Sequence, residues 1–259
     1  IPDNSFMQID GNTIISHNRG IWGKDGGDNN TITNNNITGF IRYAGIYSSP
    51  EAEITDNHIE RTETLGSQYE TLLYARNSTI SNNTIIDYPS YSKRSSLFSA
   101  IYSENCLIEH NNIEFYIGED GWCTNMYVIH DHNSTIRNNN FDIKENGTWC
   151  GEWRIISSHG SSQREISGNS ISIVDEGTRG YDADIDWAIY VDDNVTIFNN
   201  SVISEAGYSI ANLIRLGSGN QVYNNTFDID LMEYPGWYNI LSGSLFHFNG
   251  SDNEFHNNN

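Results

Sequence analysis

The chain has 259 residues, of which 37% are hydrophobic and 18% are charged. Its 34 acidic and 13 basic residues give a formal net charge of −21, which argues against nonspecific binding to nucleic acid or to anionic membranes. The sequence contains no segment with the composition of a signal peptide or of a membrane-spanning helix.

One short motif recurs along the chain: an apolar residue, two variable residues, Asn, one variable residue and a second apolar residue. Consecutive copies are 22 to 33 residues apart. The copies are centred on Asn12, Asn35, Asn57, Asn83, Asn111, Asn139, Asn169, Asn200, Asn225 and Asn258. A repeat of this size predicts a solenoid, in which each repeat buries its apolar face against its neighbours.

The repeat unit is predicted to consist of short β-strands, because apolar and polar residues alternate and no stretch shows helical periodicity. The recurrent Asn then lies at the bend between two strands. Its side-chain amide can bond the equivalent Asn of the coils above and below, and Asn tolerates the left-handed backbone of a sharp corner. We therefore expect a ladder of stacked amides inside the coil.

A second strand precedes each ladder strand, as in Gly45-Ile46-Tyr47. Its middle residue is expected to point inward and its third residue outward, because side chains alternate along a strand. Each coil then contains an upstream strand, a ladder strand that ends at the Asn corner, and a trailing strand after it. Stacked about 4.8 Å apart, such coils predict an all-β, right-handed parallel β-helix of about nine to ten coils.

The pattern that runs from Gly45-Ile46-Tyr47 to Ile54-Thr55-Asp56-Asn57-His58-Ile59 resembles the parallel β-helix repeats of the pectate-lyase-like superfamily. The resemblance covers nearly the whole chain and implies the fold more than the activity, because the members include lyases, hydrolases, epimerases, phage tailspikes and non-catalytic surface proteins. The composition, rich in Asn and in acidic residues, is also similar to that of archaeal cell-surface relatives, including disaggregatase-type enzymes that degrade a cell-wall polysaccharide.

Residues 1–259 are predicted to form a single domain, because solenoid repeats have no internal boundary. The first and last motifs lie at the ends of the sequence without an obvious cap, so we expect a segment excised from a longer chain or covered by a partner. The oligomeric state stays open. Asn-x-Ser/Thr sequons, such as the one at Asn77, agree with an extracellular or cell-surface location but partly follow from the ladder motif itself.

Two of the three cysteines occupy equivalent positions in neighbouring repeats. Cys123 and Cys150 each follow a Trp, at nearly the same distance from the preceding ladder Asn, in segments expected to be loops. This equivalence predicts a disulfide between them and hence an oxidising compartment. Cys106 is predicted to be a small buried residue and not a nucleophile.

The third residues of the upstream strands are expected to form an outward column along one face. In chain order they are Trp22, Tyr47, Tyr74, Tyr102, His130, Ser157, Tyr190, Arg215 and His247. Aromatic rings with polar groups beside them favour binding of a sugar chain, because sugars stack their C–H faces on rings. Alternatively, the rings only shield the sheet.

Two residues further along the same strands, a second set of outward side chains is expected. It comprises Arg76, Glu104, His132, His159 and Asp192. The centre of the stack thus gathers histidines, tyrosines and arginines, including Arg154, in an otherwise acidic chain. A column of titratable groups of this kind is a candidate functional site.

Long connections between trailing and upstream strands are expected to wall a groove beside this column. They carry Trp153, Trp187 and the acids Asp182, Asp184 and Asp186. Such loops on a rigid scaffold often carry binding and catalytic groups. The acidic surface also leaves Ca²⁺ as a possible cofactor, although no EF-hand or comparable calcium-binding repeat occurs.

Two reactions fit these residues. Elimination from a uronic acid would use His130 or Tyr190 as base, Arg154 or Arg215 to neutralise the carboxylate, and Tyr102 as acid. Hydrolysis needs two carboxyl groups about 5–9.5 Å apart, and Glu104 and Asp192 are three coils apart, so a hydrolase would have to use loop acids. Elimination is therefore slightly favoured. The remaining substrate-binding candidates are Arg76, Glu104, His132, His159, Asp192, Trp153, Trp187, Tyr74 and His247.

A third hypothesis belongs to a different class of function. A non-catalytic glycan-binding surface protein or adhesin would use the repeats as a spacer and the column as a binding stripe. Clustered histidines and arginines in the middle of one face argue modestly against it, because a spacer does not need them.

Overall fold

The computed structural model describes residues 6–16, 18–23, 29–39, 43–62, 69–88, 97–117, 122–145, 149–175, 187–206, 212–231 and 246–259. Within this part of the chain every regular element is a β-strand. The strands are β1 (Gln8–Asp10), β2 (Thr13–Ser16), β3 (Arg19–Trp22), β4 (Thr31–Thr33), β5 (Asn36–Gly39), β6 (Ala44–Tyr47), β7 (Glu53–Thr55), β8 (His58–Arg61), β9 (Tyr69–Arg76), β10 (Thr79–Ser81), β11 (Thr84–Asp87), β12 (Leu97–Glu104), β13 (Leu107–Glu109), β14 (Asn112–Ile117), β15 (Trp122–His132), β16 (Thr135–Arg137), β17 (Asn140–Glu145), β18 (Trp149–His159), β19 (Arg164–Ser167), β20 (Ser170–Asp175), β21 (Trp187–Val191), β22 (Val195–Phe198), β23 (Ser201–Ala206), β24 (Ile214–Leu216), β25 (Gln221–Tyr223), β26 (Thr226–Leu231), β27 (Phe246–Phe248) and β28 (Glu254–His256).

The strands form three parallel sheets, and each sheet takes every third strand of the chain. The ladder sheet runs from β1 to β28 with ten strands, the trailing sheet from β2 to β26 with nine, and the upstream sheet from β3 to β27 with nine. This topology confirms the predicted all-β, right-handed parallel β-helix. Among the described residues, no helix is long and apolar enough to cross a bilayer.

The core is a set of stacked aliphatic columns. In the ladder sheet the inward residue is Ile in most coils; Ile54, Ile80 and Ile108 are paired in register and are 0% exposed. Each fully buried side chain of this size contributes roughly 1.5–3 kcal/mol relative to an exposed one. Repetition of the same residue at the same position therefore both fills the core and fixes the register of the coils.

The amide ladder is continuous from Asn12 to Asn258. In each step the side-chain Nδ2 of one Asn donates to the Oδ1 of the Asn in the next coil, at 2.9–3.1 Å. The same Oδ1 accepts the backbone N–H of the preceding ladder Asn, as Asn83 does for Asn57 at 3.0 Å. The ladder predicted from the sequence is confirmed, and it satisfies backbone groups that the corner would otherwise bury unpaired.

One detail of that prediction is wrong. The left-handed backbone falls on the residue before each ladder Asn, as at Asn34, Asp56 and His110, whose φ angles are 55°, 56° and 57°. A second corner, between the upstream and ladder strands, repeats the device at residues such as Asn77 and Asn105, with φ angles of 46° and 54°. Each corner thus uses two residues, because one supplies the turn and the next supplies the inward hydrogen bonds.

Two of the long connections that the sequence predicts as loops, residues 114–126 and 142–153, are largely strand. Most of 114–126 and 142–153 belongs to β14, β15, β17 and β18, and these extensions pair in register, as Tyr127 does with Arg154. Both Val128 and Ile129 are 0% exposed, although consecutive residues of a regular strand point to opposite sides. The strand therefore bends at this point, and the extension forms an arm beside the outward column.

Trp153 corrects the sequence-based interpretation. It lies on β18, within the arm, and its side chain is 1% exposed and packed in the hydrophobic core. The expectation that Trp153 stands on a loop and walls a groove is wrong, because its position in the bent strand points it inward. The acids Asp182, Asp184 and Asp186 lie outside the described residues.

Candidate functional site

The outward column exists in the predicted register. Strand pairing runs without a shift through the upstream sheet. It aligns Trp22, Tyr47, Tyr74, Tyr102, His130, Ser157, Tyr190, Arg215 and His247. The column divides by chemistry into an aromatic stack at its N-terminal end and a polar centre.

The aromatic stack consists of Trp22, Tyr47, Tyr74 and Tyr102. The ring centroids of Tyr47 and Tyr74 are 4.3 Å apart with planes 6° from parallel, and those of Tyr74 and Tyr102 are 5.2 Å apart. Rings stacked in this way cover one another's faces and leave mainly edges and hydroxyl groups toward solvent. These rings therefore do not offer open faces to sugars, which favours the shielding alternative for this part of the column.

The polar centre begins with three imidazoles in contact. The ring centroids of His130, His132 and His159 are 5.3–5.4 Å from one another. Tyr102 lies 5.0 Å from His130 on one side, and Tyr190 lies 5.5 Å from His159 on the other. The predicted gathering of histidines and tyrosines in the middle of the face is thus present in the structure.

A chain of hydrogen bonds runs across this centre. His159 Nδ1 is 3.3 Å from Asp192 Oδ2, and His159 Nε2 is 3.0 Å from Ser157 Oγ. Arg154 Nη1 donates to Ser157 Oγ at 3.3 Å. The sequence placed Ser157 in the column, but its contacts with His159 were not predicted; the signal was the spacing Ser157-Ser158-His159, which puts Ser157 and His159 on the same side of the strand.

Tyr190 is flanked by two cations. The guanidinium carbon of Arg154 lies 3.7 Å from the centroid of the Tyr190 ring, and that of Arg215 lies 4.3 Å from it. Arg154 comes from the arm and is 7% exposed, whereas Arg215 comes from the next coil of the column. The side-chain amide of Asn249 lies 2.8 Å from Arg215 Nε, and it accepts from this group when its oxygen is assigned to the side that faces the guanidinium. A depression of about 360 Å³ beside this group is lined by residues that include Asp192 and Arg215.

Burial sets the protonation of the central groups. It lowers the pKa of His130 to about 3, with His159, His132 and Arg154 acting in the same direction. Burial also lowers the pKa of His159, although Asp192 opposes the shift. Burial, and then the charge of Glu104, raises the pKa of Tyr102. At neutral pH the buried imidazoles His130 and His159 are therefore neutral, and Tyr102 keeps its proton.

A buried carboxylate lies on the inner side of the same strand. Asp131 is 0% exposed and accepts from Ser103 Oγ and Ser158 Oγ, both at 2.8 Å, and from the backbone N–H of Ser134 at 3.0 Å. Arg164 Nη1 in turn donates to Ser158 Oγ at 3.0 Å. These residues were not among the candidates predicted from the sequence. Asp131 between His130 and His132 was the available signal, because alternation points it into the core.

Tyr127 was also missed. It lies on the arm, is 5% exposed, and its ring centroid is 4.6 Å from that of His130. Its register partner on β18 is Arg154, so the arm presents an aromatic ring and a guanidinium to the column in consecutive coils. The available signal was the pair of apolar residues before the outward residue, Val128-Ile129 and Ile155-Ile156, because both members of each pair are buried.

The other candidate residues lie at the margins of the centre. Arg76 Nε and Glu104 Oε2 form an exposed ion pair at 2.6 Å, and Glu104 is in register with His132. Trp187 lies with its ring centroid 6.4 Å from that of Tyr190 and 5.6 Å from that of His247. These residues border the polar centre without bonding to its hydrogen-bond chain.

The cysteine prediction remains a prediction. Cys123 and Cys150 lie on strands β15 and β18, not in loops, and their backbones are in direct register. Their side chains lie outside the part of the structure that is described. Cys106 is 5% exposed, and burial raises its pKa to about 11, which confirms it as a small buried residue.

Comparisons with protein-family models, curated proteins and solved structures find no match to this chain. Among the described residues, no three His, Cys, Asp or Glu side chains are arranged to hold a metal ion.

Proposed function

We propose that this chain is an extracellular or cell-surface enzyme of the pectate-lyase-like type that cleaves an acidic polysaccharide by β-elimination. The sugar chain would lie across the polar centre of the upstream sheet. The resemblance to disaggregatase-type enzymes of archaeal cell surfaces belongs to the same proposal, because those enzymes also degrade a wall polysaccharide.

The observation that carries the proposal is the position of Tyr190 between Arg154 and Arg215. Elimination from a uronic acid requires a cation beside the carboxylate, which makes the neighbouring C–H more acidic, and a base that removes that proton. The guanidinium groups of Arg154 and Arg215, 3.7 and 4.3 Å from the centroid of the Tyr190 ring, would supply the cations, and the phenol between them would transfer the proton. Guanidinium groups also match carboxylates geometrically.

The burial of His130 and the two arginines beside Tyr190 favour Tyr190 as the base. A pKa of about 3 makes the His130 imidazole a weak proton acceptor, far from the value near the working pH that suits a general base. Tyr102 as acid is separated from Tyr190 by three coil spacings, about 14 Å, so the two cannot act on one bond. In a syn elimination the proton and the leaving oxygen lie on one face. Tyr190 as a phenolate beside the two arginines would take the proton from carbon and pass the same proton to the leaving oxygen as the C–O bond breaks.

A glycoside hydrolase is the second candidate. Its two carboxyl groups would have to lie about 5–9.5 Å apart, whereas Glu104 and Asp192 are three coils apart and are engaged by Arg76 and His159 respectively. A hydrolase would therefore depend on acids outside the described residues. A non-catalytic glycan-binding protein is the third candidate, and the stacked N-terminal rings fit its spacer role.

One experiment separates the three candidates. The protein is incubated with polygalacturonate, alginate, hyaluronan and a neutral glucan, while absorbance near 235 nm and new reducing ends are recorded. Elimination produces an unsaturated sugar and therefore both signals, on an acidic polymer only. Reducing ends alone would support the hydrolase. Binding without either signal on any polymer would contradict both enzymatic candidates.

A further inference from the structure

The order Asp192, His159, Ser157 has the hydrogen-bond sequence of a nucleophilic Ser-His-Asp triad, with distances of 3.3 and 3.0 Å. Burial argues against that role here. Ser157 is 0% exposed, and its Oγ already accepts from Arg154 Nη1. A nucleophile needs a free approach to its substrate carbon, and this hydroxyl has none.

We infer that Asp192, His159 and Ser157 are positioning residues, which form a proton-sensitive relay that holds the Arg154 guanidinium against Tyr190. The inference rests on the proposed function for its effect on the substrate. The sequence predicted that Asp192 and His159 contact the sugar directly. Here their role is instead to hold the arginine.

The direction of each bond follows from the donors available. Asp192 as a carboxylate only accepts, so His159 Nδ1 carries the proton, and a backbone N–H from Gly160 donates to the same Oδ2 at 3.2 Å. His159 Nε2 is then an acceptor, and Ser157 donates its hydroxyl hydrogen to it. The Ser157 oxygen keeps its lone pairs for Arg154, whose guanidinium only donates.

Protonation of His159 reverses this order. Nε2 becomes a donor, so Ser157 can no longer donate to it, and the imidazolium repels the guanidinium of Arg154. The charged and titratable groups that face His159 are Asp192, Arg154, His130, His132 and Tyr190. Of these only Asp192 favours the protonated ring, and burial outweighs it, so the relay holds Arg154 throughout the neutral range.

The test does not require an active substrate. The side-chain Nη signals of Arg154 appear in an NMR spectrum only when the guanidinium is held rigidly, and nitrogen shifts of His159 report its tautomer. We expect resolved Arg154 signals and an Nδ1–H tautomer at pH 7.5, with both lost together below pH 6.5 as His159 takes up a proton. Ser157→Ala and Asp192→Ala should lose the Arg154 signals at all pH values.

Asp193→Ala is the matched control, because Asp193 lies at the same corner and bonds the backbone N–H of Ser218. It should keep the wild-type spectrum. Arg154 signals that survive in Ser157→Ala, or that do not follow the titration of His159, would overturn the relay. Labelling of Ser157 by a fluorophosphonate would also overturn it, because it would show an accessible nucleophile.

Binding of hexagalacturonate then separates the relay from the proposed function. Loss of a hydrogen bond to a charged group predicts affinity lower on the order of tenfold in Ser157→Ala. Equal affinity in wild type and Ser157→Ala would contradict the relay and leave the proposed function standing. If the wild type binds no acidic sugar while the NMR signals behave as expected, the proposed function fails and the relay stands.

Discussion

The aromatic stack and the polar centre of the outward column share one strand register but differ in how their side chains contact one another. At the N-terminal end, flat rings repeat in consecutive coils, and a coil spacing of about 4.8 Å is close to a stacking distance, so Tyr47 and Tyr74 pack face to face. In the centre, residues of different shape follow one another, and their polar atoms meet, as Ser157 and His159 do. The same scaffold thus makes a stack of rings where side chains repeat and a hydrogen-bonded polar cluster where they vary.

The largest difference should appear when the same atom is removed from both parts. Tyr190→Phe deletes one hydroxyl between two arginines, and we expect the elimination rate to fall on the order of 100-fold or more, because general acid–base groups contribute at least that much. Tyr47→Phe deletes the same hydroxyl from the aromatic stack and should leave the rate unchanged. The measurement is the initial rate at 235 nm on the polymer identified by the glycan panel.

Tyr102→Phe tests the boundary between the two parts, since Tyr102 is the last ring of the stack and contacts His130. Its distance from Tyr190 predicts a rate change of less than about threefold. A loss of elimination rate as large as that in Tyr190→Phe would show that the reaction takes place at Tyr102 and His130. Equal rates for all three variants would contradict an elimination centred on this face.

Stability should show the opposite asymmetry. Tyr74→Ala removes a ring that stacks on two others, and we expect the free energy of unfolding to fall by about 2 kcal/mol, a decrease in Tm of roughly 4–8 °C. The elimination rate at 25 °C should stay at the wild-type level. Thermal unfolding followed by circular dichroism gives the first quantity, and a large loss of activity without loss of Tm would show that the stack contacts the substrate.

The stability of the fold should depend on pH through His130. The folded-state pKa of His130 is about 3, below its ordinary value of 6.5, so the unfolded chain takes up this proton first as the pH falls. The stabilisation from neutral His130 is therefore complete above pH 6.5 and is lost progressively toward pH 3. Urea unfolding between pH 7.5 and 4.5 should show a shallower decline in His130→Asn than in the wild type.

Tyr74→Ala provides the contrast for that experiment, because no histidine adjoins Tyr74 in the stack. Its loss of stability should be the same at pH 7.5 and 4.5. If His130→Asn and the wild type declined in parallel, the imidazole would not be held neutral by burial.

The fold could be predicted from the sequence because its determinants are local and repeated. Asn57, Asn83 and Asn111 recur at one position with an apolar residue three before and two after, and this fixes the corner, the strand and the inward face together. The register of the column followed from the same repetition. Whether the rings bind sugar or shield the sheet stayed open in the sequence, because the motif does not show that equal rings in consecutive coils stack on each other.

The site was only partly predictable, because its geometry depends on side chains that differ from coil to coil. The bend itself recurs in the upstream strands, where pairs such as Leu72-Leu73 and Ile155-Ile156 are buried at both positions, but the pattern does not show which contacts the side chains beyond it make. One partner of His159 is Ser157, whose place in the column was predicted but whose contact with the imidazole was not. The contacts among these side chains depend on packing between coils, and the sequence of one coil does not show them.

The amide ladder also has a polarity. In every step Nδ2 of the earlier Asn donates to Oδ1 of the later one, from Asn12 to Asn258, so all side-chain amide dipoles point the same way along the axis. Hydrogen bonds in such a row polarise one another. The coil therefore carries an axial dipole, with its negative pole toward Asn12 and its positive pole toward Asn258, much as a helix does through its backbone.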